Sequence, residues 1–287
     1  MELEANSLVI TKKKLSATVF LIGILVVSAY GILTAVTAVG PKLALIDVEG
    51  RINRSKAEAF AKALKNAEED WTVKAIVLNV NSGGGTAGAS YEMYMAVNKT
   101  KKPVISYIGE LGASGAYLMA SASKKIVANP MAITGSIGVT IVFPIPVPYD
   151  PTSKPSYLSG MSSGDFKDMF EDDRLDEKER AYLREQLNKT LSFMLTAIAK
   201  GRNMTASSLK QVSHGGWMSG KEALDYGLVD KLGSLEDAQE AAAEMSGIPL
   251  KQLRIERRRL EETVQAATSA STDIEIWAYS ELQRLQK

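Results

Sequence analysis

The hydropathy of the chain is broken by one long apolar block. From Leu15 to Val39 it reads LSATVFLIGILVVSAYGILTAVTAV, 25 residues without a charge. As a helix such a block is about 37 Å long, enough for a hydrocarbon layer of about 30 Å. Residues 15–39 are therefore expected to form one transmembrane helix. Lys12, Lys13 and Lys14 precede it directly, and Gly40, Pro41 and Lys42 follow, then Asp47 and Glu49. The lysine excess on the first side predicts a cytoplasmic segment over 1–14, with the body outside the cell membrane it is anchored in. The alternative is a cleaved signal peptide, whose apolar region is ordinarily about 7–15 residues; it gives the same orientation.

Beyond the block, short apolar runs alternate with segments of helical period. LALIDVEG (43–50), AIVLNV (75–80), PVISYI (103–108), KKIVANP (124–130) and GVTIVF (138–143) read as strands. Ser55 to Asp70, with Ser55 and Glu58 at capping-box spacing, and Ala87 to Lys99 read as helices. Asp176 with Glu179 opens a long helix on which Leu187, Leu191, Met194, Leu195 and Ile198 share a face, and Gly201 is expected to close it. Ser219 with Glu222 and Ser234 with Asp237 open two more. Strands spaced by helices of this length predict an α/β body of βαβ units with right-handed crossovers. FPIPVPYDPTSKP (143–155) holds five prolines and is expected to be an extended loop. With no internal repeat, one domain over 43–250 is expected, and 251–287 reads as a C-terminal helical tail, solvated or packed in an oligomer.

Composition narrows the chemistry. The chain has 0 Cys and 1 His, which removes disulfides, thiolate zinc sites, a cysteine nucleophile and any multi-histidine metal site. No metal and no cofactor are expected. Lys+Arg 34 against Asp+Glu 33 leaves no general electrostatic reason to bind nucleic acid.

Three Gly-rich turns follow strands: NSGGGTAG, GELGASGAY and TGSIGV. The first lacks the Lys-Ser/Thr of a phosphate loop and the G-x-G-x-x-G spacing; its amides suit an oxyanion hole. The second places Ser114 between Ala113 and Gly115, where small neighbours leave a hydroxyl accessible at the start of a helix. A small-residue helix packed on a sheet explains the same letters. A nucleophilic serine needs a base. His214, in SHGGW, is one candidate, though a surface-loop histidine is the plainer reading. A lysine is the other, and it needs a pKa lowered from about 10.4 toward neutrality by burial and local charge. Lys167 in SGDFKDMF has Phe166 and Met169 beside it, and also Asp165 and Asp168.

NSGGG, GASGAY, ITGSIGV, SGDFKDM and WMSGKEALDYGLVDKLGSLEDA, in that order over residues 43–245, resemble the signal peptide peptidase A family of membrane-anchored serine proteases. The resemblance implies a Clp-protease/crotonase-like fold of repeated ββα units behind one N-terminal transmembrane helix. It implies Ser114 as nucleophile, Lys167 as general base and Ser136 as the hydroxyl that orients the lysine. Gly84 and Gly85 match the family's oxyanion turn, where a backbone N–H joins that of Ser114. Gly83 stands where the family has Pro, and Lys154 is the fallback base. The implied activity is an endopeptidase for remnant signal peptides and other membrane-derived peptides. The implied assembly is a homo-oligomer whose site is shared between protomers. The alternatives are a stomatin-associated membrane protease of the same fold, a crotonase-like acyl-CoA enzyme and a non-catalytic scaffold.

Overall fold

The computed structural model describes residues 22, 24–28, 30–31, 40–141 and 175–260. Most of the expected transmembrane helix lies outside these residues; the parts of it that are described are helical. Among the described residues no helix is long and apolar enough to cross a membrane. The Pro-rich loop, Lys154 and Lys167 also lie outside them.

One eight-stranded sheet organises the rest, in the order β6-β5-β3-β2-β1-β8 with β4 and β7 branching off. The strands are β1 (Lys42–Glu49), β2 (Val73–Ser82), β3 (Val104–Ala113), β4 (Lys125–Ala128), β5 (Ile133–Gly135), β6 (Trp217–Ser219), β7 (Lys231–Leu232) and β8 (Arg254–Arg259). All pairings are parallel except β5 with β6. β3 forks on its far side: residues 105–108 pair with β4 and 111–113 with β5. The fork lets one strand carry both a buried middle and a functional end.

Period-2 alternation sorts the core into two layers. Ala44, Ile46, Val48, Ile76, Leu78 and Val80 turn toward Phe60 and Leu64 of helix Arg54–Glu69, Met93 of helix Ala87–Lys99, and Tyr117 and Met119 of helix Gly115–Ala120. Leu43, Leu45, Ala75, Val77, Ile105 and Val127 turn the other way, onto Ala238, Ala241 and Ala242 of helix Leu235–Ser246. Helices on both faces explain why the central strands are apolar runs.

The capping boxes at Asp176, Ser219 and Ser234 form as the spacing requires. Four expectations change. Helix Arg54–Glu69 is capped by Asn53, whose side chain accepts from the Lys56 N–H, and not by Ser55. Residues 138–141 of GVTIVF form no strand; that side of the sheet is built by Ile133–Gly135, with Trp217–Ser219 at its edge. Gly201 does not close the long helix Glu177–Arg202. A Cβ there would stand 2.1 Å from the Ser121 carbonyl oxygen, so the glycine admits a close crossing while the helix ends at Asn203 (φ 51°, ψ 42°). Finally, Arg254–Arg259 is no part of a helical tail but a strand, paired along β1 from Lys42 to Asp47. β1 would otherwise leave an edge of unpaired amides. Residues 261–287 lie outside the described residues.

Candidate active site

Three turns meet at the C-terminal ends of β2, β3 and β5, where open parallel sheets ordinarily place their sites. Ser114 directly follows β3 and opens helix Gly115–Ala120. Its φ of 53° and ψ of −123° are unusual for a residue with a Cβ. Holding a residue there costs on the order of 1–3 kcal/mol, so neighbouring contacts must impose it. The Ser114 N–H donates to the Gly135 carbonyl at 2.9 Å, and its own carbonyl accepts from the Leu118 N–H at 2.9 Å.

The turn after β2 is fixed from the other side. Ser82 is buried; its hydroxyl donates to the Gly50 carbonyl at 2.5 Å and accepts from the Gly84 N–H at 3.1 Å. Ile52 brackets the glycines, donating to the Gly84 carbonyl at 2.9 Å and accepting from the Thr86 N–H at 3.0 Å. A Cβ on Gly84 would lie 2.6 Å from the Gly115 nitrogen, and one on Gly85 would lie 1.8 Å from the Ile52 oxygen. Gly84 also has φ 91°. Both positions exclude side chains so that backbone can meet backbone.

This packing engages two of the amides that the resemblance implied as donors. The resemblance implied donors from the Gly84–Gly85 turn together with Ser114. The Ser114 N–H is engaged by Gly135 and the Gly84 N–H by Ser82. Among the described residues the N–H groups of Gly85 and Gly115 have no acceptor, and they lie close together: a Cβ on Gly115 would be 3.5 Å from the Gly85 nitrogen. That same Cβ would be 2.0 Å from the Ser90 hydroxyl, which is buried and has no partner.

Ser136 sits just past β5 with φ 47°. Its N–H donates to the Gly216 carbonyl at 2.9 Å and its hydroxyl to the Gly215 carbonyl at 3.2 Å. With its proton turned to Gly215, the oxygen keeps lone pairs for an incoming donor such as an amine. His214 belongs to this loop: its Nδ1 accepts from the Gly216 N–H at 3.0 Å, and among the described residues no hydrogen bond joins it to Ser114. Sequence reasoning did not find the loop's role, nor those of Ser82 and Ser90. A polar residue directly before the three glycines 83–85 was the available signal for Ser82.

Behind the site, Tyr117 is fully buried and donates to the Leu228 carbonyl at 2.8 Å. Burial pushes its phenol pKa up. Arg202 pairs with Asp230 at 2.7 Å, and Asp230 accepts from the Ile126 N–H at 2.7 Å. The GLVDKLG segment is thus a brace between the long helix and the sheet beneath the site.

The model of peptidase family S49 matches residues 96–249, and that of Clp protease matches residues 36–134. A Synechocystis protein described as a protease, slr0021, is 32% identical over 220 residues, covering 74% of this chain and 77% of that one. Protease 4 of Haemophilus influenzae is 29% identical over 71% of this chain, which spans 35% of that longer relative. An Enterococcus faecium protein described as signal peptide peptidase SppA is 32% identical over 63% of this chain and 54% of its own length. Among solved structures, the membrane-bound stomatin-specific protease 1510-N is similar at TM-score 0.49 and 18% identity, covering 77% of this chain and 98% of its own.

Proposed function

The chain belongs to peptidase family S49 and is a serine peptidase, and on that premise we propose that it is a membrane-anchored endopeptidase that uses a Ser114/Lys167 dyad. Its substrates are remnant signal peptides and other membrane-derived peptides on the extracytoplasmic face. The observation that carries this reading is the backbone of Ser114, held at φ 53° between Gly84 and Gly135. A serine held in a strained backbone conformation at the head of a helix supports the nucleophile role.

In this mechanism the Ser114 Oγ attacks the scissile carbonyl carbon while the neutral Lys167 amine takes its proton. The Gly85 and Gly115 N–H groups hold the oxyanion, a role worth about 2.7–4 kcal/mol per donor. Lysine then returns the proton to the leaving amine, and water resolves the acyl-enzyme by the reverse sequence. Ser136, its own proton committed to Gly215, accepts a hydrogen bond from the lysine amine and aims its lone pair at Ser114. The motif S-G-x-[FY]-K-D, met by SGDFKD, supports Lys167 as base. The family resemblance supports a homo-oligomer in which Ser114 and Lys167 come from neighbouring protomers.

The test is peptide hydrolysis by Ser114→Ala, Lys167→Ala, Lys154→Ala and His214→Ala. Loss in the first two alone supports the dyad. Survival of Lys167→Ala with loss in either of the other two moves the base to that residue. Activity should rise with pH through one apparent pKa as the lysine loses its proton.

A further inference from the structure

The opposite end of the sheet from the site, where the parallel strands begin, carries a different kind of surface. Lys42, Val73 and Arg254 lie side by side in register, and the Arg254 N–H donates to the Pro41 carbonyl at 2.9 Å. The Ile76 N–H donates to the Pro103 carbonyl at 2.9 Å, which puts Lys101, two residues before it, at the same rim. The Lys124 N–H donates to the Val104 carbonyl, and Lys125 pairs with Ile105. Lys251 precedes β8 by one short turn. Trp71, in the turn before β2, is 60% exposed and has the Lys74 ammonium 5.9 Å from its ring.

Five acids near this end are already engaged. Asp70 and Glu256 pair with Lys42 and Arg258, Glu69 with Lys65, and Asp230 with Arg202, while Glu68 accepts the Lys101 backbone N–H. Lys74 and Lys102 donate to backbone carbonyls. The side chains of Lys101, Lys124, Lys125, Lys251 and Arg254 have no partner among the described residues. The rim is therefore a net cationic ring around an exposed indole, on a protein with net charge of only +1.

We propose that this rim docks on the headgroups of an anionic lipid bilayer. The inference rests on the membrane-anchor reading above: the apolar block ends at Val39, and three residues reach at most about 11 Å, so Lys42 cannot stand far from the interface. Each basic side chain near an anionic surface contributes about 1 kcal/mol, and tryptophan favours the interfacial layer. β3 has ten residues, about 33 Å at 3.3 Å each. A docked rim thus holds the sheet upright with Ser114 about 30 Å above the bilayer. Substrate peptides must then leave the hydrocarbon layer before they are cut.

The experiment uses the full chain with Trp217→Phe and Trp277→Phe, leaving Trp71 as the reporter, reconstituted in vesicles that contain brominated lipid. Quenching of Trp71 should be about threefold stronger in vesicles with about 30% phosphatidylglycerol than in pure phosphatidylcholine, and salt at about 0.5 M should remove the difference. The joint reversal Lys101→Glu, Lys124→Glu, Lys251→Glu and Arg254→Glu should remove it too; the salt arm needs no variant. Equal quenching in both vesicle types overturns the proposal, as does an RNA oligonucleotide that shifts Trp71 emission when anionic vesicles do not. Alkaline carbonate extraction separates the two readings. A chain that resists extraction but shows no lipid contrast keeps its anchor and loses the docking rim. A chain that is extracted yet shows the contrast keeps the rim and loses the anchor.

Discussion

At the C-terminal ends of the strands the protein works through backbone: Gly84, Gly85, Ser114, Gly115 and Ser136 form turns with no room for added atoms and no charge among them. At the N-terminal ends it works through long charged side chains, such as Lys42 bridging Glu256 at 2.8 Å and Asp70 at 3.6 Å. The difference teaches how each end fails. A site made of fixed amides tolerates no displacement, because an oxyanion donor is useful only within about 0.5 Å of its place. A surface made of many solvated charges degrades by increments, since each contributes about 1 kcal/mol or less.

The sharpest way to probe the first end is Ser114→Gly. Peptidase activity should fall by at least about a thousandfold, while the melting temperature rises, because glycine relieves a strain of order 1 kcal/mol. A melting temperature that falls would mean that the serine is structural and the backbone unstrained. Next is Gly85→Ala, whose Cβ would meet the Ile52 oxygen at 1.8 Å. Backbone must move, so both activity and about 2–4 kcal/mol of stability should be lost, measured by denaturant titration.

Gly115→Ala offers a reversible break. Its Cβ would stand 2.0 Å from the Ser90 hydroxyl and 2.7 Å from the Ser90 Cβ. The single variant should lose most of its kcat with a smaller change in KM, as expected for displacing a donor that acts in the transition state. Adding Ser90→Gly should return at least about a third of the activity by opening that space. No recovery would place the damage elsewhere.

The smallest effect belongs to the other end. Hydrogen bonds from Lys42, then from Arg258, hold the Glu256 carboxyl below its ordinary range despite partial burial. A carboxyl with a depressed folded pKa adds stability above its unfolded pKa, and this is lost as pH falls through the folded one. Lys42→Met should therefore cost about 1 kcal/mol at pH 7. The gap from wild type should close below about pH 4, followed by urea unfolding at several pH values. A gap independent of pH would make Lys42 a packing residue.

Much of this was legible along the chain. The alternating strands, three capping boxes, the Ser114 turn and the family resemblance follow from local periodicity and short motifs, which depend on neighbours a few residues away. β8 was not legible, because RIERRR has no apolar alternation; it is a strand since β1 presents unpaired amides to it. Gly201 read as a helix end because a lone glycine carries no sign of the Ser121 carbonyl it must admit.

The sequence by itself determined most of the central strands and the capped helices, which serine stands at a turn, and that the site would be built from small residues. Only the tertiary structure decided which amides remain free to hold an oxyanion. Ser114 gives its N–H to Gly135 and Gly84 gives its own to Ser82, leaving Gly85 and Gly115. The first of those bonds joins the residue after β3 to the last residue of β5, two segments apart in the chain. A donor's availability is a property of what packs against it, and no run of letters around Ser114 records that.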